Sequence, residues 1–255
     1  NSSDSIYRHD KGLATSHVIK IGDISSLKQH KLIHSENVKA DDNWALKMAA
    51  QLGRVDVLKF LKDEFGLETQ DARAGNNWAL RKAAKFGHVD VLRFLKDEFR
   101  LEPQDARDAD NGALIDAAEN GHLEVLKYLR HKFNLWDIDA RAQDNLALGE
   151  AAKNGHMAIV RYLHKEFELT ATDARSRDNY ALRKAVESEH TDIVQFFEKE
   201  WDISTNEIQS PSLAFSLLKV LMYYAIAISA YYLFVSKIPG MLTYLGFKKI
   251  EISSQ

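Results

Sequence analysis

The sequence predicts an all-α protein, a helical solenoid of about five repeated helix pairs, with one degenerate pair before them and a single transmembrane helix after them. Three observations predict it. One pattern returns along the chain at a constant spacing of 34 residues. Within each copy the apolar residues fall at helical spacing. Where a further copy is due, an apolar run stands instead.

The pattern is clearest in the segment from Asn77 to His88, NWALRKAAKFGH. Its counterparts are NWALKMAAQLGR from Asn43, NGALIDAAENGH from Asn111, NLALGEAAKNGH from Asn145 and NYALRKAVESEH from Asn179. Four columns run in register: Asn43, Asn77, Asn111, Asn145, Asn179; Ala45, Ala79, Ala113, Ala147, Ala181; Phe65, Phe99, Phe133, Phe167, Trp201; and Leu67, Leu101, Leu135, Leu169, Ile203. Ala14 and Gly22 continue the register upstream, with Ile24, Leu27 and Leu32 as an apolar face, which suits an atypical capping repeat. The expected limits are 1–40 for the N-terminal segment, 41–203 for the repeats, 204–210 for a short linker, 211–237 for the span and 238–255 for a tail.

Each unit reads as two short helices. In the second copy Trp78, Leu80, Ala83 and Ala84 mark one face, Gly87 ends the helix, and His88 or Asp90 starts the next. Val89, Val91, Leu92 and Leu95 form the stripe of that second helix. The polar stretch Glu102 to Asn111 is expected as a loop or hairpin. One such pair cannot bury its own apolar stripe, so the units must stack.

A spacing of 34 also suits tetratricopeptide repeats, but their tryptophan–leucine–glycine–tyrosine pattern is absent. The Ala-Ala pair, two residues, Gly-His and then V-x-V-L-x-x-L resembles the ankyrin repeat, well over 41–203 and weakly over 13–40. The chain departs from that pattern in two places. Trp-Ala-Leu-Arg at 78–81 stands where Thr-Pro-Leu-His is usual, and Phe99-Arg-Leu101 replaces the Gly-Ala-Asp turn. The resemblance implies that the partners are other protein subunits, held by loop tips and by the exposed side of each first helix, which line a concave face. Those positions are Lys47, Met48, Arg81, Lys82, Ile115, Asp116, Gly149, Glu150, Arg183 and Lys184, which vary between copies while the core columns hold.

After the repeats, Leu213 to Val235 is an apolar run of 23 residues with one charge, Lys219. About 35 Å of helix would cross a hydrocarbon core of about 30 Å, in contact with membrane lipid. Ser210-Pro211 starts the helix and Pro239-Gly240 stops it. Lys219 can snorkel, and Tyr231, Tyr232 and Phe234 suit an interfacial belt. Tyr223 and Tyr224 fall at mid-depth and are expected to contact another helix. A buried helix capping the solenoid would be apolar on one stripe rather than all round. Lys237, Lys248 and Lys249 after the span, against Glu198, Glu200, Asp202 and Glu207 before it, place the tail on the cytoplasmic or matrix side. With no cysteine for extracellular disulfides, an organelle inner membrane such as the mitochondrial one is expected; a cytosol-facing, tail-anchored protein is the alternative. The chain opens at Asn1, which suggests removal of an upstream segment, and its polar start is not itself a signal peptide.

Composition excludes more than it assigns. A net charge of −3 gives no electrostatic footprint for nucleic acid. The absence of cysteine removes thiolate metal sites and cysteine nucleophiles. His88, His122, His156 and His190 recur once per repeat, on layers about 10 Å apart, too far to share a zinc ion. The Asp/Arg pairs 71/73, 105/107, 139/141 and 173/175 recur likewise, and a group copied in every repeat reads as structural. No phosphate loop, nucleophile elbow or zinc-protease motif occurs. No catalytic residue, cofactor or metal is therefore expected. The sequence points to a membrane-anchored accessory or scaffold subunit of a larger complex. A free membrane-tethered adaptor, or a membrane enzyme or transporter component using the span, are the alternatives. The seven residues from Ser204 to Ser210 would hold the solenoid close to the membrane, and Ala181, Ala185, Ile193 and Phe197 at its end need cover.

Overall fold

A computed structural model describes residues 38–208. The expected degenerate repeat upstream, and the span 211–237 with Leu213, Lys219, Tyr223, Tyr224, Tyr231, Tyr232 and Val235, lie outside the described residues. Within them no helix is long and apolar enough to cross a membrane.

The described chain is helical, with no strand among its residues, and it forms five stacked helix pairs. The first pair is α1 (Ala40–Gln51) and α2 (Val55–Phe65). α3 (Thr69–Lys85) and α4 (Val89–Glu98) follow, then α5 (Pro103–Glu119) and α6 (Leu123–Lys132). The fourth repeat is α7 (Asp137–Ala140), α8 (Ala142–Lys153) and α9 (Met157–Glu166). The fifth is α10 (Ala171–Ala174), α11 (Ser176–Glu187) and α12 (Thr191–Trp201), closed by a 3-10 turn at Thr205–Glu207. The second helices of the last four repeats begin after His88, His122, His156 and His190, as the spacing predicts, and α2 begins after Arg54.

The first helices α1, α3, α5, α8 and α11 pack on one another far more extensively than the second helices do. Alanine is the cause. Ala49, Ala83, Ala117, Ala151 and Ala185 are fully buried, and a methyl group lets neighbouring backbones approach. The branched residues of the second helices fill the layer behind them: Val91, Leu92 and Leu95, then Val125, Leu126 and Leu129, are likewise excluded from solvent. The phenylalanine column closes each layer. Phe94 meets Phe99 edge-on at 5.9 Å, Tyr128 meets Phe133 at 6.2 Å and Tyr162 meets Phe167 at 5.9 Å.

The stretch from Glu102 to Asn111 is not the expected loop or hairpin. Glu102-Pro-Gln-Asp105 is a capping box with proline in the first turn, so the chain turns helical at once. Ala109, Asp110 and Asn111 then take left-handed backbone angles, with φ of 52°, 52° and 61°, and redirect the chain into the first helix proper. Asn76–Asn77, Gln143–Asn145 and Arg177–Asn179 repeat the device. Asparagine tolerates this conformation better than most residues, and here its amide is buried and engaged. Asn77 Nδ2 donates to Asp105 at 3.2 Å and to Asp108 at 2.6 Å.

The Asp/Arg pairs also join differently from their sequence proximity. Each arginine reaches the aspartate of the next repeat. Arg73 Nε donates to Asp105, Arg107 to Asp139 and Arg141 to Asp173, each at 2.7 Å. The same aspartates cap their own helices, with Asp139 accepting the Trp136 N–H at 2.7 Å. Lys39 meets Asp71 at one end at 3.2 Å, and Arg175 meets Glu207 at the other at 3.0 Å. Glu207 stands 34 residues after Asp173, so the ladder runs on into the segment expected as linker. Ala181, Ala185, Ile193 and Phe197, expected to need cover, are all buried, and Trp201 packs edge-on against Phe197 at 4.7 Å.

A second stitch joins each histidine to the repeat before it. His88 Nε2 donates to the carbonyl of Gln51 at 2.9 Å, and His156 and His190 donate to Glu119 and Lys153 at 3.0 Å. Each ring lies against the glycine that ends the preceding first helix. A Cβ on Gly121 would stand 2.8 Å from His156 Cε1, and Gly121 has φ of +81°. Both space and backbone conformation exclude a side chain there. Gly121→Ala is therefore expected to destabilise the array by more than about 1 kcal/mol. Adding His156→Ala should recover the steric part and leave the backbone strain. Urea melts of the two variants check this, and an unchanged midpoint in Gly121→Ala would refute it.

Candidate functional site

The candidate site is the solvent side of the first helices. On each helix it is built from two consecutive residues, such as Arg81 and Lys82, that lie outside the buried columns of Leu80, Ala83 and Ala84. The structure places eight of the ten expected residues there, part-exposed: Lys47, Met48, Arg81, Lys82, Asp116, Glu150, Arg183 and Lys184. Ile115 and Gly149 are buried. Ile115 belongs to the buried core, and Gly149 is covered by a side chain of the next repeat. Gly149 leaves room for the Tyr180 ring, which a Cβ would meet at 2.4 Å. The Tyr180 hydroxyl then donates to Glu150 at 2.8 Å.

Much of this face is tied together between repeats. Arg81 donates to Asp116 at 3.1 Å, and its guanidinium occupies the space that a Cβ on Gly112 would take. Glu150 also meets Lys153 at 2.9 Å. Arg183 pairs with Asp178 at 2.8 Å and Lys184 with Glu187. Lys47 and Lys82 stand over the Trp78 ring, 5.8 Å and 4.8 Å from its centre. The candidate residues form one continuous surface, but several of their charges are already answered within it.

Sequence reasoning missed Trp78, Gly112 and Tyr180 as parts of this face. The signal was available, since the column Trp44, Trp78, Gly112, Leu146, Tyr180 varies in size as freely as the residues chosen. It also missed three exposed apolar places, of which one is Val186 in α11, 41% exposed. Phe86, at the end of α3, is 44% exposed. Trp136 and Ile138, at the tip of the fourth repeat, are 58% and 69% exposed. The matching positions elsewhere are Glu68, Glu102, Thr170 and Ser204 for Trp136, and Gln70, Gln104, Thr172 and Asn206 for Ile138. Two apolar residues in otherwise polar columns were legible from the sequence.

No group of histidine and carboxylate side chains among the described residues could hold a metal ion. The recurring histidines spend a ring nitrogen on a backbone carbonyl, and the recurring aspartates spend both carboxylate oxygens on arginine and on a capped N–H. The span residues from Leu213 to Val235 add nothing here, being outside the described residues.

A family model described as ankyrin repeats (3 copies) matches residues 46–144 and 114–207, together more than half of the chain. No curated protein matches the sequence.

Several of these buried bonds carry a pH dependence. Burial acts to push the Asp105 carboxyl up, but the Arg73 guanidinium, the Glu102 N–H and the Asn77 amide outweigh it and hold it below the ordinary carboxylate range. Asp173 is lowered in the same balance by Arg141 and Thr170, and Glu150 by Lys153 and Tyr180. Burial lowers the His122 ring, against a bond to the Lys85 carbonyl. Both kinds of shift act in one direction. Below about pH 6.5 the unfolded chain protonates His122 before the folded chain does, and below about pH 4 it protonates the carboxylates first. Stability is expected to fall from pH 7 towards pH 5 through His122, and more steeply below pH 4 through Asp105, Asp173 and Glu150. His122→Gln should flatten the upper part only. Melting temperatures across this range check it, and a constant or rising value on acidification would contradict it.

Proposed function

The chain belongs to the ankyrin-repeat family, and on that premise we propose that it is a membrane-anchored protein–protein interaction module, an accessory subunit of a larger membrane complex. Ankyrin repeats imply protein partners, and proteins built from them are generally non-catalytic. One observation carries the reading for this chain. Its repeated polar groups are consumed in joining one repeat to the next, while the variable residues collect on the first-helix face. Recognition needs such a face; catalysis needs a unique activated group, and the described residues offer none.

Membrane attachment rests on the run from Leu213 to Val235, with Lys219 as its only charge. Lys237, Lys248 and Lys249 put the tail on the cytoplasmic or matrix side, and a chain without cysteine suits an organelle inner membrane. Lipid then surrounds the span, and the repeats meet the soluble faces of neighbouring subunits.

The full-length protein is expected to stay in the membrane pellet after alkaline carbonate extraction. Solubilised in mild detergent from its native source, it should co-migrate with other proteins through native gel electrophoresis. Release by carbonate would refute the anchor. Migration as a single chain, with nothing attached, would refute the subunit role.

A further inference from the structure

Each first helix presents one line of side chains at i, i+4 and i+8, and the five lines lie side by side. They read Trp44–Met48–Leu52, Trp78–Lys82–Phe86, Gly112–Asp116–Asn120, Leu146–Glu150–Asn154 and Tyr180–Lys184–Ser188. The last position of each line marks the helix end. There Asn120 and Asn154 use their side chains as caps, donating to the carbonyls of Asp116 at 2.8 Å and Glu150 at 2.9 Å. Phe86 holds the same position in the second repeat. Its ring is 44% exposed, and it can make no such bond. Leu52 of the first repeat cannot make it either, but it is part-buried against the core; at Phe86 the missing contact coincides with a large apolar surface in solvent, a local inconsistency that marks a functional position.

Charge singles out the same place. At the face positions of the first two repeats stand Lys47, Arg81, Lys82 and Lys85, with no acid among them. Asp116 and Glu119 of the third repeat reach back to Arg81 at 3.1 Å and Lys85 at 4.0 Å. Lys82 has no ion pair among the described residues and rests on the face of Trp78. An ammonium held over a tryptophan ring is positioned without being neutralised, so its N–H donors stay available to a carboxylate. The fourth and fifth repeats differ. Glu150 is answered by Lys153 and Tyr180, Lys184 by Glu187, and Arg183 by Asp178.

We infer that the line Trp78–Lys82–Phe86 is the centre of the recognition face and that it takes an acidic segment of a partner protein carrying an aromatic or branched apolar anchor. The anchor packs on Phe86, and its flanking carboxylates meet Lys82 and Lys85. This rests on the interaction reading above and adds to it the place and the chemistry of the partner.

A phage-displayed library of random peptides, panned on the full-length protein in detergent, tests it. Enriched peptides should combine Asp or Glu with Trp, Phe, Leu or Ile, and their binding should weaken as salt rises. Phe86→Asn installs the residue that caps the third and fourth repeats, so the fold should be as stable as before or more so. It should nevertheless weaken binding about tenfold, as expected for loss of a central aromatic anchor. Lys82→Glu should weaken it at least as much. Basic or uncharged consensus peptides, an absence of enrichment, or binding unchanged in both variants would overturn the inference. Loss of binding in Trp136→Thr with Ile138→Thr, or in Lys184→Glu, instead of in these two would also overturn it, by moving the site. Those outcomes leave the interaction module itself standing, since its failure shows separately as migration of the native protein without partners.

Discussion

Asp139 is 3% exposed, and a carboxylate so placed is tolerable only while every lone pair has a donor. Arg107 of the preceding repeat supplies two N–H groups, at 2.7 Å and 3.0 Å, and the Trp136 amide supplies a third at 2.7 Å. One side chain therefore does two things. It starts its own repeat by capping the first turn, and it fixes that repeat to the one before. The second recurs from repeat to repeat only if successive units are related by the same rotation and translation, and this is the constraint that the 34-residue spacing expresses. The His–carbonyl contact and its facing glycine impose the same demand from the other end of the first helix. Between the two stitches lies the alanine row, where a larger residue would push the layers apart and lengthen both bonds. The stack is held apart by nothing and together at three heights, so the repeats have one register available to them.

What the sequence made legible follows from this. The second helices, the buried columns and the glycine that closes the first helix in four of the five repeats are periodic signals, and periodic signals add up over the copies. The short helical turn at 103–107 was legible in principle. Glu102-Pro-Gln-Asp105 is a capping box with proline at its start, but the dense polar run around it reads more simply as a loop. The left-handed turn at Ala109, Asp110 and Asn111 was not legible, because no glycine marks it in that repeat. Only Gly75 in the second repeat hints at it. The partner of each arginine was also hidden. A single residue separates Asp105 from Arg107, and only the stacked structure shows that each bonds outside its own repeat.

The same distinction sorts the candidate site. Columns that hold a single residue type, such as Asn77 or Ala83, serve the stack. Columns that change, such as 78, 82 and 86 with their counterparts, are not fixed by it. Gly149 qualifies the rule, because variation there compensates a neighbour: the glycine admits Tyr180, whose hydroxyl then holds Glu150. Some variation is thus pairwise packing written across repeats. The residues left after that subtraction, with Lys82 and Phe86 foremost, are those the array does not need for itself.

The bonds between repeats couple units that could not stand alone. A double-mutant cycle on Arg107 and Asp139, measured by urea unfolding, tests this most directly. If the pair joins two repeats as described, Asp139→Ala should cost about 3–5 kcal/mol. The coupling energy with Arg107→Ala should then be about 1.5–3 kcal/mol, the range found for residues in one bonded network. Costs that simply add, with coupling below about 0.5 kcal/mol, would contradict the account.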